Sequence, residues 1–597
     1  MSADGGRAAT TLWARSFVTA LADAGLRELA LAPGSRSTPL VMAFAREERI
    51  RCRVHLDERS CGFFALGVGK ASRTPAAVLT TSGTAVANLY PAIVEAAKAE
   101  VPLIALTADR PHHLRDSDAN QAIDQIRPFG RYPLASWEAA PPGSDPAALR
   151  HLRALAHRAV AEAKGAPAGP VHVNFPFDKP LEPAEEADPR RGVETVLSGP
   201  PPLRVERGRR ALSSETLTEL REMVEARARG VIIAGPASDP KRLGPRLRAF
   251  ARSSGYPLLA DPLSGGRYGG DAAQAVAAYD LFLRDPQVAA SLEPEIVIRV
   301  GPSPTSSALL DWIDRHRDVH QVVIDGGASW KDHLASASHY LVADPAGVLA
   351  ELAVSGGEPK NRARTDPSWR EAWFTAETAA RSALAENRSE PHEGYIAAQL
   401  VDAMPTGSSL VVSSSMPVRD LDAFGGARSE PLAVYGNRGA SGIDGVVSTA
   451  FGVSAATVGP TLCLIGDVAF LHDRNGLLWS GDGIPVIFVL ADNDGCGIFH
   501  ALPIADREPE FTRFFATPHG SDLSDAGATH GAATTTVEIA EVGRAAAEAL
   551  EAGKTTIVRV KLDRSRDHRL RGDSAKAVSQ RVTAALAACR LRPPKTT

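Results

Sequence analysis

The chain has 597 residues, a formal charge of −4, 44% hydrophobic and 23% charged side chains. The near-neutral balance provides no domain-wide basic field and so argues against a nucleic-acid partner, and no apolar run approaches the ~18 residues a membrane span needs. The five scattered cysteines (Cys52, Cys61, Cys463, Cys496, Cys589) show no C-x-x-C spacing, which fits reduced thiols in a cytoplasmic protein rather than disulfides or a zinc site.

The length corresponds to about four domains, or three large ones. The N-terminal stretch has no long apolar segment and reads as an amphipathic helix over 11–24. A strand, Glu28–Leu31, runs into Ala32-Pro33-Gly34-Ser35-Arg36-Ser37 and puts Ser35 and Arg36 at the carboxyl edge of a sheet. An Arg there can bind an anion, although the serines could equally cap the helix that starts near Thr38-Pro39. Next, His55-Leu56-Asp57-Glu58-Arg59-Ser60 leads into a small-residue helix over 61–70. A Glu at such a start is ordinarily a partner of the helix dipole. A strand Ala76–Thr80, a Thr81-Ser82-Gly83-Thr84 turn, a helix over 85–97 and a strand over 102–107 follow. That last strand ends in Asp109-Arg110-Pro111 and an amide-rich loop reaching Asn120 and Gln121. Strands alternating with helices describe a doubly wound α/β domain.

Residues 182–203 are rich in Pro, Glu and Gly and read as a linker. A second α/β region contains helices over 214–227 and 241–253 and strands over 230–234, 257–260, 296–300 and 321–325. It has no evident catalytic cluster, and its Gly-rich piece Ser264–Gly270 is as much loop as site. A second polar linker covers 355–366. The expected domains are therefore 1–190, 204–355 and 370–597.

The third region starts with a helix Gly394–Ala403 and a strand Ser409–Val412, then Ser413-Ser414-Ser415-Met416-Pro417-Val418-Arg419. A Gly-rich loop from Gly436 to Gly445 carries Arg438 and Ile443 and can bring backbone close to a ligand. An apolar run over 461–465 ends in Gly466-Asp467, and a second over 484–491 ends in Asp492-Asn493-Asp494-Gly495. Helical character over 473–479 makes the whole a strand–helix–strand unit. Asp467 and Asn493 then lie past the carboxyl ends of neighbouring strands, where open α/β sheets bind ligands. One carboxylate and one amide oxygen suit Mg²⁺, which completes its octahedron with water and phosphate oxygens. The bland alternative is two ordinary loop caps. The last clear strand covers 555–560, and no internal repeat is evident.

The Gly-Asp and Asn pair at this spacing resembles the diphosphate signature of thiamine-diphosphate enzymes. Two α/β regions flanking a third without evident chemistry match the Pyr–middle–PP arrangement of the thiamine-diphosphate decarboxylase superfamily. Within it, APGSRSTPL (32–40), HLDERS (55–60), TSGTAVANLYPAIVEA (81–96), LTADRP (106–111), SSSMPVRD (413–420), YGNRGASGIDG (435–445) and GDVAFLHD (466–473) resemble the SEPHCHC synthase family of menaquinone biosynthesis. The resemblance implies three doubly wound parallel-sheet domains and a transferase that decarboxylates 2-oxoglutarate and adds the succinyl unit to isochorismate. It also implies thiamine diphosphate with Mg²⁺ or Mn²⁺, and a homodimer or homotetramer whose active sites lie at Pyr–PP subunit interfaces.

By the same resemblance, Glu58 hydrogen-bonds and activates the cofactor's aminopyrimidine, and Asp467, Asn493 and the Gly495 carbonyl hold the metal. Ser413, Ser415, Ile443 and Gly466 complete the cofactor set. Ser35, Arg36, Arg110, Asn120 and Gln121 face isochorismate, whereas Ser415, Arg419 and Arg438 face the 2-oxoglutarate-derived part and Phe499 walls the reacting carbon. Ala469 stands where relatives often carry Ser, and Ser307 lies near a position where they often carry a basic residue. The two dicarboxylate substrates that the resemblance implies call for fixed cations, and Arg36, Arg110, Arg419 and Arg438 each follow an expected strand. Two alternatives stand beside this reading. A pyruvate decarboxylase or acetolactate synthase type is invited by His112-His113; a catalytically dead binder would have lacked Glu58, Asp467 or Asn493.

Overall fold

The computed structural model describes residues 3–184, 203–271, 275–327, 329–353, 366–387, 390–480 and 483–589. Both expected linkers, 182–203 and 355–366, fall almost entirely outside these residues. Three six-stranded sheets, parallel throughout, carry an α/β fold.

The first sheet is built from β1 (Glu28–Leu31), β2 (Arg51–Val54), β3 (Ala76–Thr80), β4 (Leu103–Asp109), β5 (Ala135–Glu138) and β6 (Pro170–Pro176). The second has β7 (Gly230–Ala234), β8 (Leu258–Ala260), β9 (Ala275–Val276), β10 (Ile296–Val300), β11 (His320–Asp325) and β12 (His339–Val342). The third has β13 (Ser409–Val412), β14 (Ala433–Tyr435), β15 (Thr461–Gly466), β16 (Ile487–Asp492), β17 (Ala533–Val537) and β18 (Thr556–Lys561). Central strands such as β3, β4 and β16 are buried at every residue. That explains their unbroken apolar lettering, because helices cover both faces of a parallel sheet.

In space the strands run β2-β1-β3-β4-β6-β5, β12-β11-β10-β7-β8-β9 and β14-β13-β15-β16-β18-β17. The first and third sheets thus share one topology, a repeat of connection that is not evident in the letters. In both, the strand order reverses beside the first strand, and this crevice is where such sheets receive ligands.

The described chain forms two compact units. The first comprises Met1–Gly208, Asn437–Val458 and His472–Ile484. Its core sets Trp13 and Phe17 of the Ala3–Asp23 helix, with Leu152 and Leu155 of Pro146–Ala163, against Leu29, Leu79 and Ile104 of the sheet. In the same unit the Glu58–Ser72 helix crosses Val446–Ala455 at two glycines. A Cβ on Gly67 would stand 2.3 Å from the Thr449 carbonyl oxygen, and one on Gly452 2.1 Å from that of Phe64. Backbone meets backbone there.

The second unit comprises Arg209–Gly436, Gly459–Leu471 and Pro485–Thr597. Trp312, Trp369 and Trp373 join the second sheet's helices to Val578 and Val582 of a long Arg564–Ala588 helix. Ile396, Leu400, Leu410, Leu464 and Val489 form the core of the third sheet.

The structure departs from the sequence reading where proline intervenes. The expected helix over 85–97 is two, Thr84–Ala87 and Tyr90–Lys98, because Pro91 has no N–H to continue the ladder. The run over 484–491 pairs only from Ile487, after Pro485. Asp467 opens a helix, Asp467–His472, and a 3₁₀ segment follows at Arg474–Trp479.

Candidate functional site

In the first unit, Asp57 caps the Glu58–Ser72 helix by accepting the Arg59 and Ser60 N–H groups. Capping by the neighbour leaves the Glu58 carboxylate, half-buried at the first helical residue, outside that role. Further bonds fix the turn: Arg59 Nη2 donates to the His472 carbonyl at 2.6 Å, and Asn475 Nδ2 to Asp57 Oδ2 at 2.9 Å. Ser60 Oγ reaches Asp473 Oδ1 at 3.3 Å, and burial pushes Asp473 up to about 6.

Past β1, Ser35 is exposed and Arg36 is only 7% exposed. Arg36 Nη1 donates to the Phe177 carbonyl at 2.8 Å, while its buried Nε meets no acceptor among the described residues. Past β4, Arg110 is 8% exposed and donates to Ser82 Oγ and the Asn120 carbonyl, both at 2.5 Å. Burial, followed by the neighbouring Arg110 charge, lowers the Arg36 pKa. Gln121 Nε2 donates to the Ser82 carbonyl at 2.8 Å, so the amide loop folds back over the Thr81–Thr84 turn. Asn120 itself is exposed.

Beneath Arg110 lies a buried polar network that the sequence reading missed. Asp109 accepts from the Arg110 N–H (2.7 Å), Asn174 Nδ2 (2.9 Å) and Arg115 Nη2 (2.9 Å). Gln125 receives the Gly83 N–H and donates to Asn174. Thr107 links Asn174 to His172. Only the carboxylate in Asp109-Arg110 and the run of amides signalled it. His112 and His113, by contrast, are 62% and 64% exposed, beside Glu138 and Asp178.

The glycine loop that carries Arg438 and Ile443 is also anchored in this unit. Buried Glu95, beside Lys70 at 3.5 Å, accepts the Gly439 and Ala440 N–H groups at 3.0 and 2.7 Å. Gly445 is obligatory: its φ is 62°, and a Cβ would lie 1.9 Å from the Phe63 ring.

In the second unit, Ser413 and Ser415 follow β13. Ser415 holds φ 72°, a strained choice for a non-glycine residue. The Met416–Phe424 helix starts there, and Arg419 Nη1 returns to the Ser415 carbonyl at 2.7 Å.

Asp467, past Gly466 at the end of β15, is 2% exposed. It accepts the N–H groups of Val468 (2.7 Å), Asn493 (3.0 Å) and Gly495 (3.0 Å). Burial raises its pKa, and these bonds oppose the rise. Arg564 Nη1 ties down the carbonyls of Asn493 and Asp494. Gly495, at φ 137°, passes so close to Ala516 that a Cβ would lie 2.2 Å from its carbonyl oxygen.

Asn493 Oδ1 is buried and accepts no hydrogen bond from any described residue. A buried bare amide oxygen, a carboxylate and the turn at Gly495 are a hard-oxygen set, and they fit a divalent cation that keeps most of its shell for water and phosphate. Asp467, Asp492 and His519 also have ligand atoms within 4.8 Å of one another, a grouping the sequence did not suggest. Asp492, however, is engaged by Arg559 at 2.6 Å, and His519 Nε2 stands 3.4 Å from Asp467 Oδ2 as its neighbour. Phe499 lies in a 3₁₀ turn, 6.0 Å from the Phe515 ring. Ala469 is buried, and Ser307 is exposed at the start of a helix capped by Ser306. At the second sheet's own crevice two backbones meet closely: a Cβ on Gly235 would lie 1.8 Å from the Pro302 carbonyl oxygen.

Residues 13–127 match the family model of the thiamine pyrophosphate enzyme N-terminal TPP binding domain, and residues 205–412 match that of the thiamine pyrophosphate middle domain. A structure from Mycobacterium smegmatis, described as a thiamin diphosphate-dependent enzyme, superposes with a TM-score of 0.69 over 92% of this chain and 98% of its own, at 20% identity. It shares the fold. Among curated relatives, the 2-succinyl-5-enolpyruvyl-6-hydroxy-3-cyclohexene-1-carboxylate (SEPHCHC) synthase of Chloroflexus aurantiacus is 44% identical over 92% of both chains. The synthase of Geobacillus kaustophilus is 41% identical over 94% of this chain and 96% of its own, and that of Halobacterium salinarum 41% over 94% and 97%. Likeness of this degree over nearly the full length of both partners, through all three sheets, places the chain in the SEPHCHC synthase family of thiamine-diphosphate-dependent enzymes.

Proposed function

We propose that the protein uses thiamine diphosphate to decarboxylate 2-oxoglutarate and to transfer the succinyl unit to isochorismate, forming SEPHCHC and CO₂ in menaquinone biosynthesis. The observation that carries this reading is the Arg36–Arg110 pair. Two nearly buried guanidiniums lie close enough to oppose each other, and one has an uncommitted Nε–H. The nearby Asp178 and Asp109 carboxylates offset that repulsion only in part, and a dicarboxylate would supply the further anion.

Bound thiamine diphosphate supplies the electron sink for loss of the 2-oxo acid's carboxylate. The chain's own groups do the rest. Glu58 would hydrogen-bond the cofactor's aminopyrimidine ring. Asp467, Asn493 Oδ1 and the Gly495 carbonyl would hold Mg²⁺ or Mn²⁺, and Ser413, Ser415, Ile443 and Gly466 would complete the cofactor set. Arg419 and Arg438 orient the carboxylates of 2-oxoglutarate, and Phe499 keeps water from the reacting carbon. Arg36 and Arg110, with Ser35, Asn120 and Gln121, seat isochorismate. We place the domains at 1–190, 204–355 and 370–597 and the protein in the cytoplasm, as a homodimer or homotetramer sharing each active site between subunits. No described helix is long and apolar enough to cross a membrane.

The test is CO₂ release from 2-oxoglutarate with thiamine diphosphate and Mg²⁺, with and without isochorismate. Fast release that needs both substrates, with pyruvate inert, is the expected result. Release from pyruvate that ignores isochorismate would keep the cofactor and move the activity to the pyruvate decarboxylase type.

A further inference from the structure

The Gly-rich loop Ser264–Gly270, unassigned in the sequence, delivers a guanidinium into the third sheet's machinery. Arg267 has a fully buried side chain, 0% exposed, and spends every N–H-bearing nitrogen on a partner. Its Nε donates to the Ala260 carbonyl at 2.6 Å. Nη1 donates to the Asp422 carbonyl at 2.8 Å and the Leu421 carbonyl at 3.3 Å. Nη2 donates to Asp422 Oδ1 at 2.5 Å and to the Tyr279 hydroxyl at 2.9 Å. The Tyr279 hydroxyl in turn donates to Asp422 Oδ1 at 2.6 Å. Gly265 and Gly269, at φ 76° and 81°, give the loop the turns that aim Arg267 inward.

Asp422 is on the short Met416–Phe424 helix, one turn after Arg419 and two turns after Ser415. Arg267 therefore grips both the side chain and the final carbonyls of the helix that presents Arg419. Asp420 on the same helix is paired with Arg571 of the Arg564–Ala588 helix. Nine residues are held by directional bonds from two sides.

A plain packing role would be met as well or better by apolar side chains, since buried ion pairs seldom outdo well-packed hydrophobic residues of equal volume. Here the arrangement is kept at a cost. Burial lifts Asp422 to about 7 against the pull of Arg267, and its Oδ2 has no hydrogen-bond partner among the described residues. What a fork of directional bonds adds over an apolar contact is orientation.

We propose that Arg267, Tyr279 and Asp422 are positioning residues that fix the seat of the Met416–Phe424 helix, and with it Arg419, so that the second sheet's glycine loop sets the affinity for 2-oxoglutarate. This rests on the assignment of Arg419 to that substrate. Small displacements of an orienting group weaken its hold on the substrate steeply.

The experiment compares Tyr279→Phe, Asp422→Asn and the wild-type holoenzyme. The expected result is a KM for 2-oxoglutarate raised about threefold in Tyr279→Phe and about tenfold in Asp422→Asn. The KM for isochorismate should stay within about twofold. Combined with Arg419→Lys, Asp422→Asn should add less than its separate factor, because both act through one contact. Equal shifts of both KM values, or full multiplication of the two effects, would overturn the proposal. Tyr279→Phe removes a single hydroxyl and keeps the test available should Asp422→Asn fold poorly.

Amide hydrogen exchange separates this outcome from failure of the substrate assignment. Residues 415–424 should exchange faster in Tyr279→Phe, with 467–472 unchanged. Unaltered exchange at 415–424 would sink the clamp whatever the substrate, whereas faster exchange with no turnover of 2-oxoglutarate would instead sink the assignment of Arg419.

Discussion

A carboxylate that accepts three backbone N–H groups, as Asp467 does, is fixed before any ligand arrives, and the backbone of Asn493, just past the next strand and bearing the bare Oδ1, is held by the same carboxylate and by Arg564. Glu58 sits on a helix start capped by its neighbour and is built for a different task. The two should therefore fail differently. Glu58→Gln should lower turnover by about 10²–10⁴ yet keep the rise of several degrees in thermal midpoint that thiamine diphosphate gives with Mg²⁺. Asp467→Ala should lose that rise, and chelation of the metal should abolish it in the wild type. Thermal shift alongside CO₂ release reads both, and a Glu58→Gln enzyme with most of its activity would refute the activation role.

His172 offers a pH signature at the same scale. Burial depresses its pKa to about 4, so the folded protein keeps it neutral while the unfolded chain protonates it near 6.5. Its stabilising contribution is complete above pH 6.5 and is lost as the pH falls toward 4. Against His172→Gln, the wild type should lose about 2–3 kcal/mol of its advantage between pH 7.5 and 4. Urea unfolding at the two pH values measures it, and a constant gap would disprove it.

Among the elements, the crossing of Glu58–Ser72 with Val446–Ala455 brings backbone against backbone at both of its glycines. A methyl group on Gly452 would meet the Phe64 carbonyl, and backbone cannot swing aside as a side chain can. Gly452→Ala should cost about 1–3 kcal/mol or more, lowering the thermal midpoint by several degrees. An unchanged midpoint would refute the close crossing. The long Arg564–Ala588 helix shows why some elements were missed. Its buried Ser574, Val578, Val582 and Leu586 form a thin stripe on an otherwise charged surface, and only its partner helix Pro367–Glu386 makes sense of it.

At the scale of the molecule, the shared topology of the first and third sheets gives each Glu58-bearing sheet a counterpart bearing Asp467. If each active site takes Glu58 from one subunit and Asp467 from another, Glu58→Gln and Asp467→Ala complement each other. Two inactive variants, unfolded and refolded together, should then recover about a quarter of wild-type activity, since half the dimers are mixed and each has one intact site. No recovery would place both groups of a site on one subunit.

The sequence by itself determined the alternation of strands and helices and the chemistry-bearing residues at strand ends. Glycine and proline punctuation, apolar runs and unpaired polar residues are local, and they survive in the letters. Glu28–Leu31, Ala76–Thr80, Ile296–Val300 and Gly394–Ala403 could be read to the residue. Only the tertiary structure decided what lies behind those residues. The Asp109–Asn174–Gln125 network, the Glu95 hold on the glycine loop and the Arg267–Asp422–Tyr279 cluster join positions far apart in the chain. Whether a buried charge is satisfied depends on the partner the fold brings to it, and spacing along the chain carries no record of that.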